Sequence, residues 1–409
     1  MLQPYNLFNA GDDRQPAIIH PLSVPPLIQS SEADFSLTWS GAGELFLVAS
    51  LAAPMAAATA AAKIYGQIAA TLTTYNLAIV HERIFCSLSV EAAVMTERSR
   101  AFLAHGFPSV TPVTCIQGRP IWGEGLAGIM VQAVPAEQVR TLMDNDLPCG
   151  RAWQSPGAEF LLLQNITAPD TAVGVPVERK LQVRQLLDRV DRILRQQGGT
   201  YRDVVRTWFY LADILDWYGD FNVARSEKYG EFGIMPGGAQ DSLLLPASTG
   251  ICGDTASGTA ATMDLLAVIA APAARPAVTQ LTNRGQLDAL RYGAAFSRGA
   301  LIRGKAGTIL QLSGTAAIDE QGKSLFPANI CGQINCTLDK IAGLMGQVGA
   351  CLGDIAAATV FVKRPEYAAV FNEIAAARGL EGLPAVCVVA DICRKELLFE
   401  MDAEAVITK

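Results

Sequence analysis

The sequence predicts an α+β fold in which three similar β-sheet-plus-helices units are arranged with pseudo-threefold symmetry in one chain. Two observations carry this. An Ala-Val pair closes three similar strand segments: Val134, Val268 and Val406 lie 134 and then 138 residues apart, and a fixed long period marks duplicated units. Between those closing segments the same order of apolar strands and helical stripes recurs. One such sheet would leave an apolar face uncovered. Three copies can cover it mutually, as a trimer would.

The units are expected at 1–150 (N-terminal and degenerate), 151–275 (central) and 276–409 (C-terminal). Each opens on an apolar strand: "ELFLVAS" at 44–50, "EFLLLQN" at 159–165 and "TILQLSG" at 308–314. A helix follows. In the central copy Val183, Leu186, Leu187, Val190, Ile193 and Leu194 form one stripe, closed by Gly198 and Gly199. In the C-terminal copy Ile334, Leu338, Ile341, Met345 and Val348 do so, and in the N-terminal copy Ile64, Ile68, Leu72 and Tyr75. "GQI" recurs at 66–68 and 332–334 in equivalent places. A second strand comes next ("RIFCSL", "RTWFYL", "ATVFVK"), then a second helix ("VMTERSRAFLAHG", "YGDFNVARSEKYGEFG", "YAAVFNEIAAARG"). A hairpin with a proline entry is expected to close each unit. In the central copy it reads "PASTGICGDTASGTAATMDLLAVI" at 246–269. Its small residues Ala256, Ser257, Gly258 and Ala260 would admit close approach of a sheet or a ligand, or serve packing alone.

The chain is half hydrophobic, 17% charged and carries a net charge of −7. No basic stripe is present, so nucleic acid is not an expected partner. No run of 18 apolar residues occurs, so no membrane span is expected. The start, "MLQPYNLFNAGDDRQP", lacks the basic-then-apolar pattern of a signal peptide. Nine cysteines without a CxxC, and three histidines confined to the first third, predict reduced thiols, a cytoplasmic protein and no metal site. "GGAQDS" and "GDTASG" lack phosphate-loop spacing, so no cofactor is expected.

The segments "LQLSGTAAIDEQGKSL", "GQINCTLDKIAGLMGQVGACLGDI", "TVFVKRPEYAAVFNEI" and "LPAVCVVADICRKELLFEMDAEAV" run in the order of the RidA/YjgF family, which the C-terminal unit resembles. That family forms trimers with ligand sites between subunits, and its best-known members hydrolyse enamines and imines. They carry an arginine two residues after the proline of the last strand pair. Val386 holds that place here. The central unit, with "RTWFYLADILDWYGDFNVARSEKYGEFG" followed by "PASTGI", resembles the chorismatases over roughly 150–409. The resemblance implies three RidA-like units in one chain and an active site between the central and C-terminal units. It further implies release of pyruvate from chorismate, with a hydroxybenzoate or a dihydroxycyclohexadiene carboxylate as co-product, in secondary metabolism.

Removing an enolpyruvyl group begins with a proton delivered to a carbon, which requires an acid that is protonated at neutral pH. A carboxyl kept neutral by burial fits. Glu400, in "ELLFEMDAEAV", is the candidate. Aligned on the shared Ala-Val, Thr262 and Gly128 take its place in the other units, so the acid is unique to the C-terminal copy. Strand alternation puts Leu398, Glu400 and Asp402 on one face. The alternative is a solvated strand carboxylate, as Asp402 and Glu404 also read. Two substrate carboxylates call for cations. Arg225 can grip one with two parallel hydrogen bonds, and Tyr229, a helical turn on, adds a neutral donor. A surface pair with Glu227 or Asp220 is the other reading of Arg225. Arg206, Arg298 and Lys363 are further basic candidates. Thr249, in a turn expected at Thr249–Gly250, can hold an anionic oxygen. Ser313, Thr315 and Ala316 can line the space beside a ring. Cys393 stands where some chorismatases, those making a hydroxybenzoate, have a cysteine near the substrate; a small buried hydrophobe is the plain reading.

Three readings follow: a cofactor-free lyase or hydrolase of chorismate, an imine deaminase that Val386 disfavours, and a ligand-binding protein without catalysis. Glu400 and Arg225 converging across one seam would favour the first. A monomer with a pseudo-trimeric core or a small homo-oligomer is expected.

Overall fold

A computed structural model describes residues 33–407 except 42, 109, 156–157, 170–177, 236–244, 271–276, 283–288 and 305–306. The N-terminal motif and "GGAQDS" lie outside the described residues. The first sheet and its helices comprise β1 (Ala33–Trp39), β2 (Leu45–Leu51), α1 (Ala57–Tyr75), β3 (Leu77–Cys86), α2 (Glu91–Ala104), β4 (Thr114–Gln117) and β5 (Leu126–Pro135). The second set is β6 (Val139–Asp144), β7 (Leu147–Ser155), β8 (Ala158–Thr167), α3 (Arg179–Gln196), β9 (Val204–Leu211), α4 (Ile214–Glu231), β10 (Ala247–Cys252) and β11 (Ala261–Ile269). The third is β12 (Ala277–Leu281), β13 (Gly299–Gly304), β14 (Gly307–Ala316), α5 (Ile330–Gly346), β15 (Ile355–Val362), α6 (Tyr367–Ala377), β16 (Ala385–Val389) and β17 (Phe399–Ile407).

The fold is α+β, as expected: three mixed sheets, each with two helices packed on one face. The strand orders are β1-β2-β5-β3-β4, β10-β9-β11-β8-β7-β6 and β12-β13-β14-β17-β15-β16. The second sheet begins at Val139, ahead of residue 151, because β6 and β7 add to β8 as an antiparallel ribbon.

The stripes fall on α1, α3 and α5, except that Val348 lies past the end of α5 at Gly346. All six stripe residues of α3 are fully buried, and burial of a Leu, Ile or Val side chain is worth roughly 1.5–3 kcal/mol. The helix ends where the Gly198 and Gly199 amides return to Arg195 and Leu194, Gly198 with φ +79°.

The closing segments are not hairpins. β10 pairs in parallel with β9, and β11 pairs antiparallel with the other edge of β9. The link between them crosses over the end of β9. A two-strand ladder between β10 and β11 is blocked because β11 already has β8 on its other side. Ala260, at the end of that link, is buried in its own unit's core, but Ala256, Ser257 and Gly258 are exposed and the close approach expected of them does not occur. It occurs at Gly253 instead, where an added Cβ would meet the Ile116 side chain of the first unit at 2.5 Å.

The free faces of the three sheets meet in one shared core. Phe85 of β3, Tyr210 of β9 and Phe361 of β15 all contribute to it. They stand opposite Gly128, Thr262 and Glu400, which is the correspondence the Ala-Val alignment predicts. A buried pair of one basic and one acidic side chain crosses each seam. His81 Nε2 lies 3.0 Å from Asp264 Oδ2, Arg206 Nη2 lies 3.1 Å from Asp402 Oδ2, and Arg83 Nη2 lies 3.1 Å from Glu404 Oε1. Such pairs contribute little net stability after desolvation, but an unmatched partner is costly, so they specify how the units dock. Among the described residues no helix is long and apolar enough to cross a membrane, and no group of three or more His, Cys, Asp or Glu is placed to hold a metal ion.

Candidate active site between the second and third units

A cavity lies where β10 and α4 meet the third unit. Tyr218, Arg225, Ser248 and Gly250 line it from the second unit. Phe296 and Arg298 precede β13. Gly314, Ala316 and Glu400 come from β14 and β17, and Cys393 and Arg394 from the link between β16 and β17. Its volume is ≈ 30 Å³, room for only a few water molecules.

Glu400 is 5% exposed. Burial, reinforced by the negative charge of Asp402, pushes its pKa up to about 8; Arg298 and Arg206 pull it the other way but less. It is neutral at physiological pH. Gly314 leaves room for its carboxyl. A Cβ at Gly314 would sit 2.2 Å from Glu400 Oε1, at the point where the register of β14 against β17 shifts between Leu312 and Thr315.

Asp402, two residues on, is held by groups of the second unit. It is buried, as is Glu404, so neither is the solvated carboxylate that the pattern allowed. Thr249 Oγ1 donates to Asp402 Oδ2 at 2.7 Å and Arg206 Nη2 donates to it at 3.1 Å. The same Thr249 oxygen accepts from Arg206 Nη2 (2.7 Å) and from the Gly314 amide (3.1 Å). Thr249 and Arg206 therefore stand behind the cavity wall rather than in it. Desolvation brings the Arg206 guanidinium down to about 10, and its carbon lies 4.5 Å from the Trp208 ring. The turn expected at Thr249–Gly250 is strand β10, held in parallel register with β9.

Arg225 is 1% exposed. Its Nη2 donates to Asn222 Oδ1 at 2.7 Å and its Nη1 approaches Ser248 Oγ at 3.5 Å. Its guanidinium lies 4.9 Å from the Phe221 ring and 5.7 Å from Phe296. Its Nε is buried without a hydrogen-bond partner, and no carboxylate among the described residues pairs with it. Glu227, the expected surface partner, binds Arg184 instead. A buried cation lacking a counter-charge is costly unless an anion arrives. Arg298, also buried, places a second guanidinium on the same cavity, 5.1 Å from the Phe296 ring.

Four expected residues have other work. Tyr229 is fully buried against Tyr201, ring centroids 5.2 Å apart, and does not reach the cavity. Tyr218 does. It lies seven residues, or two helical turns, before Arg225 on α4, and that i, i+7 spacing was the signal that could have found it. Ser313 Oγ donates to the Ser297 carbonyl at 2.6 Å and accepts from the Ser248 amide at 2.8 Å, clamping the seam. Thr315 Oγ1 donates to the Ser313 carbonyl at 2.9 Å. Ala316 lines the cavity. Lys363 lies elsewhere, bonded to the Lys395 carbonyl and 3.3 Å from Asp391. Burial, then Glu400, pushes the Cys393 thiol up to about 12, so it is a neutral group. Arg394, which sequence reasoning missed, donates to the Gly322 carbonyl at 2.7 Å.

Residues 287–407 match the family model Endoribonuclease L-PSP. A chorismatase crystal structure superposes with a TM-score of 0.58 at 21% identity, covering 80% of this chain and 92% of that one. Single-unit structures also match. One is a Mycobacterium tuberculosis member of the YjgF/YER057c/UK114 family (20% identity, 32% of this chain, 100% of that one, TM-score 0.27), and another is yeast Mmf1 (18%, 32%, 100%, 0.27). A search of curated proteins finds no match. The chain thus has the chorismatase fold, three sheet-and-helix units in one polypeptide whose C-terminal unit matches the Endoribonuclease L-PSP family.

Proposed function

We propose that the chain is a cofactor-free chorismatase-type lyase or hydrolase acting at this seam. The observation that carries the reading is a neutral, buried Glu400 sharing one cavity with Arg225 and Arg298. In this account the guanidinium groups take the two substrate carboxylates. Glu400 gives its proton to the enolpyruvyl methylene carbon, leaving an oxocarbenium-like centre beside a new carboxylate. Capture by water gives a hemiketal that collapses to pyruvate and a dihydroxycyclohexadiene carboxylate. Capture by the ring hydroxyl leads instead to pyruvate and a hydroxybenzoate. In both routes the capturing oxygen gives up its proton, which restores Glu400; in the second, the ring C–H proton lost on aromatisation passes to the oxygen that leaves the ring. Cys393, as a neutral thiol, leaves the cavity without a second acid.

Small-molecule pockets usually measure about 300–1,000 Å³, so the wall side chains must swing outward to admit the ring. Imine deamination finds no support at this seam. Val386 is buried, and an added Cβ at Gly128 would meet its methyl groups, which places it between the third and first units. Incubation with chorismate, reading pyruvate and the ring product, tests the proposal. Pyruvate release by the native protein and not by Glu400→Gln is expected; no release by either would overturn it.

A further inference from the structure

The three seams are copies of one another, and their contents have diverged. Each second helix ends at a glycine with positive φ: Gly106 (+78°), Gly233 (+70°) and Gly379 (+70°). Eight residues before each stand Arg98, Arg225 and Phe371. At the first seam Arg98 is consumed internally: its Nε and Nη2 donate to Glu82 at 2.8 and 2.6 Å. At the second seam Arg225 faces the cavity of Glu400. At the third seam Phe371 replaces the arginine and Gly128 replaces the acid.

That third seam holds a cavity of ≈ 670 Å³ between β16, α6 and the first sheet. Strand register identifies it as the counterpart of the candidate active site. Ser36 occupies the place of Arg298, and Ala385 and Cys387 those of Ser248 and Gly250. The counterparts of Arg225, Arg298 and Glu400 are thus the uncharged Phe371, Ser36 and Gly128. Phe35, Trp122 and Phe371 supply aromatic faces instead. The charged residues lining it are Asp34 and Glu381, both exposed carboxylates; no Lys, Arg or His among the described residues lines it.

The geometry points to a second ligand site here, for a small aromatic amine: a monocation with an apolar ring body and no carboxylate. The volume suits such a molecule. Aromatic faces attract an ammonium group, and the two carboxylates favour a cation while repelling the anions that the other seam would take. The inference stands on pseudo-symmetry and charge, independently of the chemistry proposed for Glu400.

The test is saturation-transfer NMR and thermal shift with tryptamine and phenethylamine (cations), indole (neutral) and benzoate (anion). The amines should bind, indole more weakly, and benzoate least. Ser50→Trp, which fills the cavity from β2, should abolish binding. The double variant D34K/E381K, altered only at exposed positions and so expected to fold, should raise the amine Kd at least tenfold. Glu400→Gln should leave amine binding unchanged. No binding of any amine at millimolar concentration, preference for benzoate or indole, or binding indifferent to both variants in protein with a native circular dichroism spectrum would overturn the inference.

Discussion

Replacing Glu400 with glutamine should remove activity and stabilise the protein at once. The carboxyl has a pKa of about 8 in the fold against 4.5 for the free side chain. Below pH 4.5 it is protonated in both states and costs nothing. Between pH 4.5 and 8 the unfolded chain ionises while the folded chain does not, so stability is lost as pH rises through that window. At pH 7 the accumulated cost is about 3 kcal/mol from 2.5 units at about 1.4 kcal/mol each, less a small term for partial ionisation of the fold. Glutamine keeps the shape and never ionises. With about 2.1 cal/mol/K per residue of unfolding entropy, 3 kcal/mol corresponds to a rise in Tm of about 3–4 °C. Calorimetry of both proteins at pH 4.5 and pH 7, beside a pyruvate-release assay, reads both quantities. The gain should be present at pH 7 and nearly absent at pH 4.5. An equal or lower Tm at pH 7 would refute the reasoning that this carboxyl is buried and neutral, and undiminished turnover would remove it as proton donor.

Three further outcomes follow. Gly314→Ala forces an added Cβ to 2.2 Å from the Glu400 oxygen, so kcat should fall about 100-fold, the scale of a 1 Å misplacement, while the fold survives. Arg225→Met removes a charge-assisted contact worth about 1.5–3 kcal/mol, so KM for a dicarboxylate should rise about 10–100-fold; an unchanged KM would place the carboxylate elsewhere. Turnover should decline above pH 8 as Glu400 ionises, and in Asp402→Asn that decline should begin at lower pH, because the charge that raises the Glu400 pKa is gone and Arg206, left unmatched, lowers it further.

The repeat was legible because burying a sheet against helices fixes where apolar residues fall, and three copies repeat that constraint. The alignment of Gly128, Thr262 and Glu400 followed from it. The parallel pairing of β10 was not legible, since a strand reads the same whether its neighbour runs parallel or antiparallel. Polar residues near the seam were over-assigned to ligand binding. Thr249, Ser313 and Arg206 are polar because they must satisfy a buried backbone amide, a backbone carbonyl and Asp402, and these partners lie 65, 16 and 196 residues away. Asp402 was read as a face-mate of Glu400, but its effect depends on Arg206 in another unit, which no local pattern reveals. On α4 the sequence points to Tyr229, which turns into the core of its own unit, while Tyr218 reaches the cavity.

The most direct test is the protonation state of Glu400 itself. Infrared difference spectra of native protein against Glu400→Gln, titrated from pH 5 to 10, isolate its carboxyl stretch. A protonated carboxyl persisting through pH 7 and vanishing near pH 8 is the predicted result. A carboxylate already present at pH 6 would contradict the account.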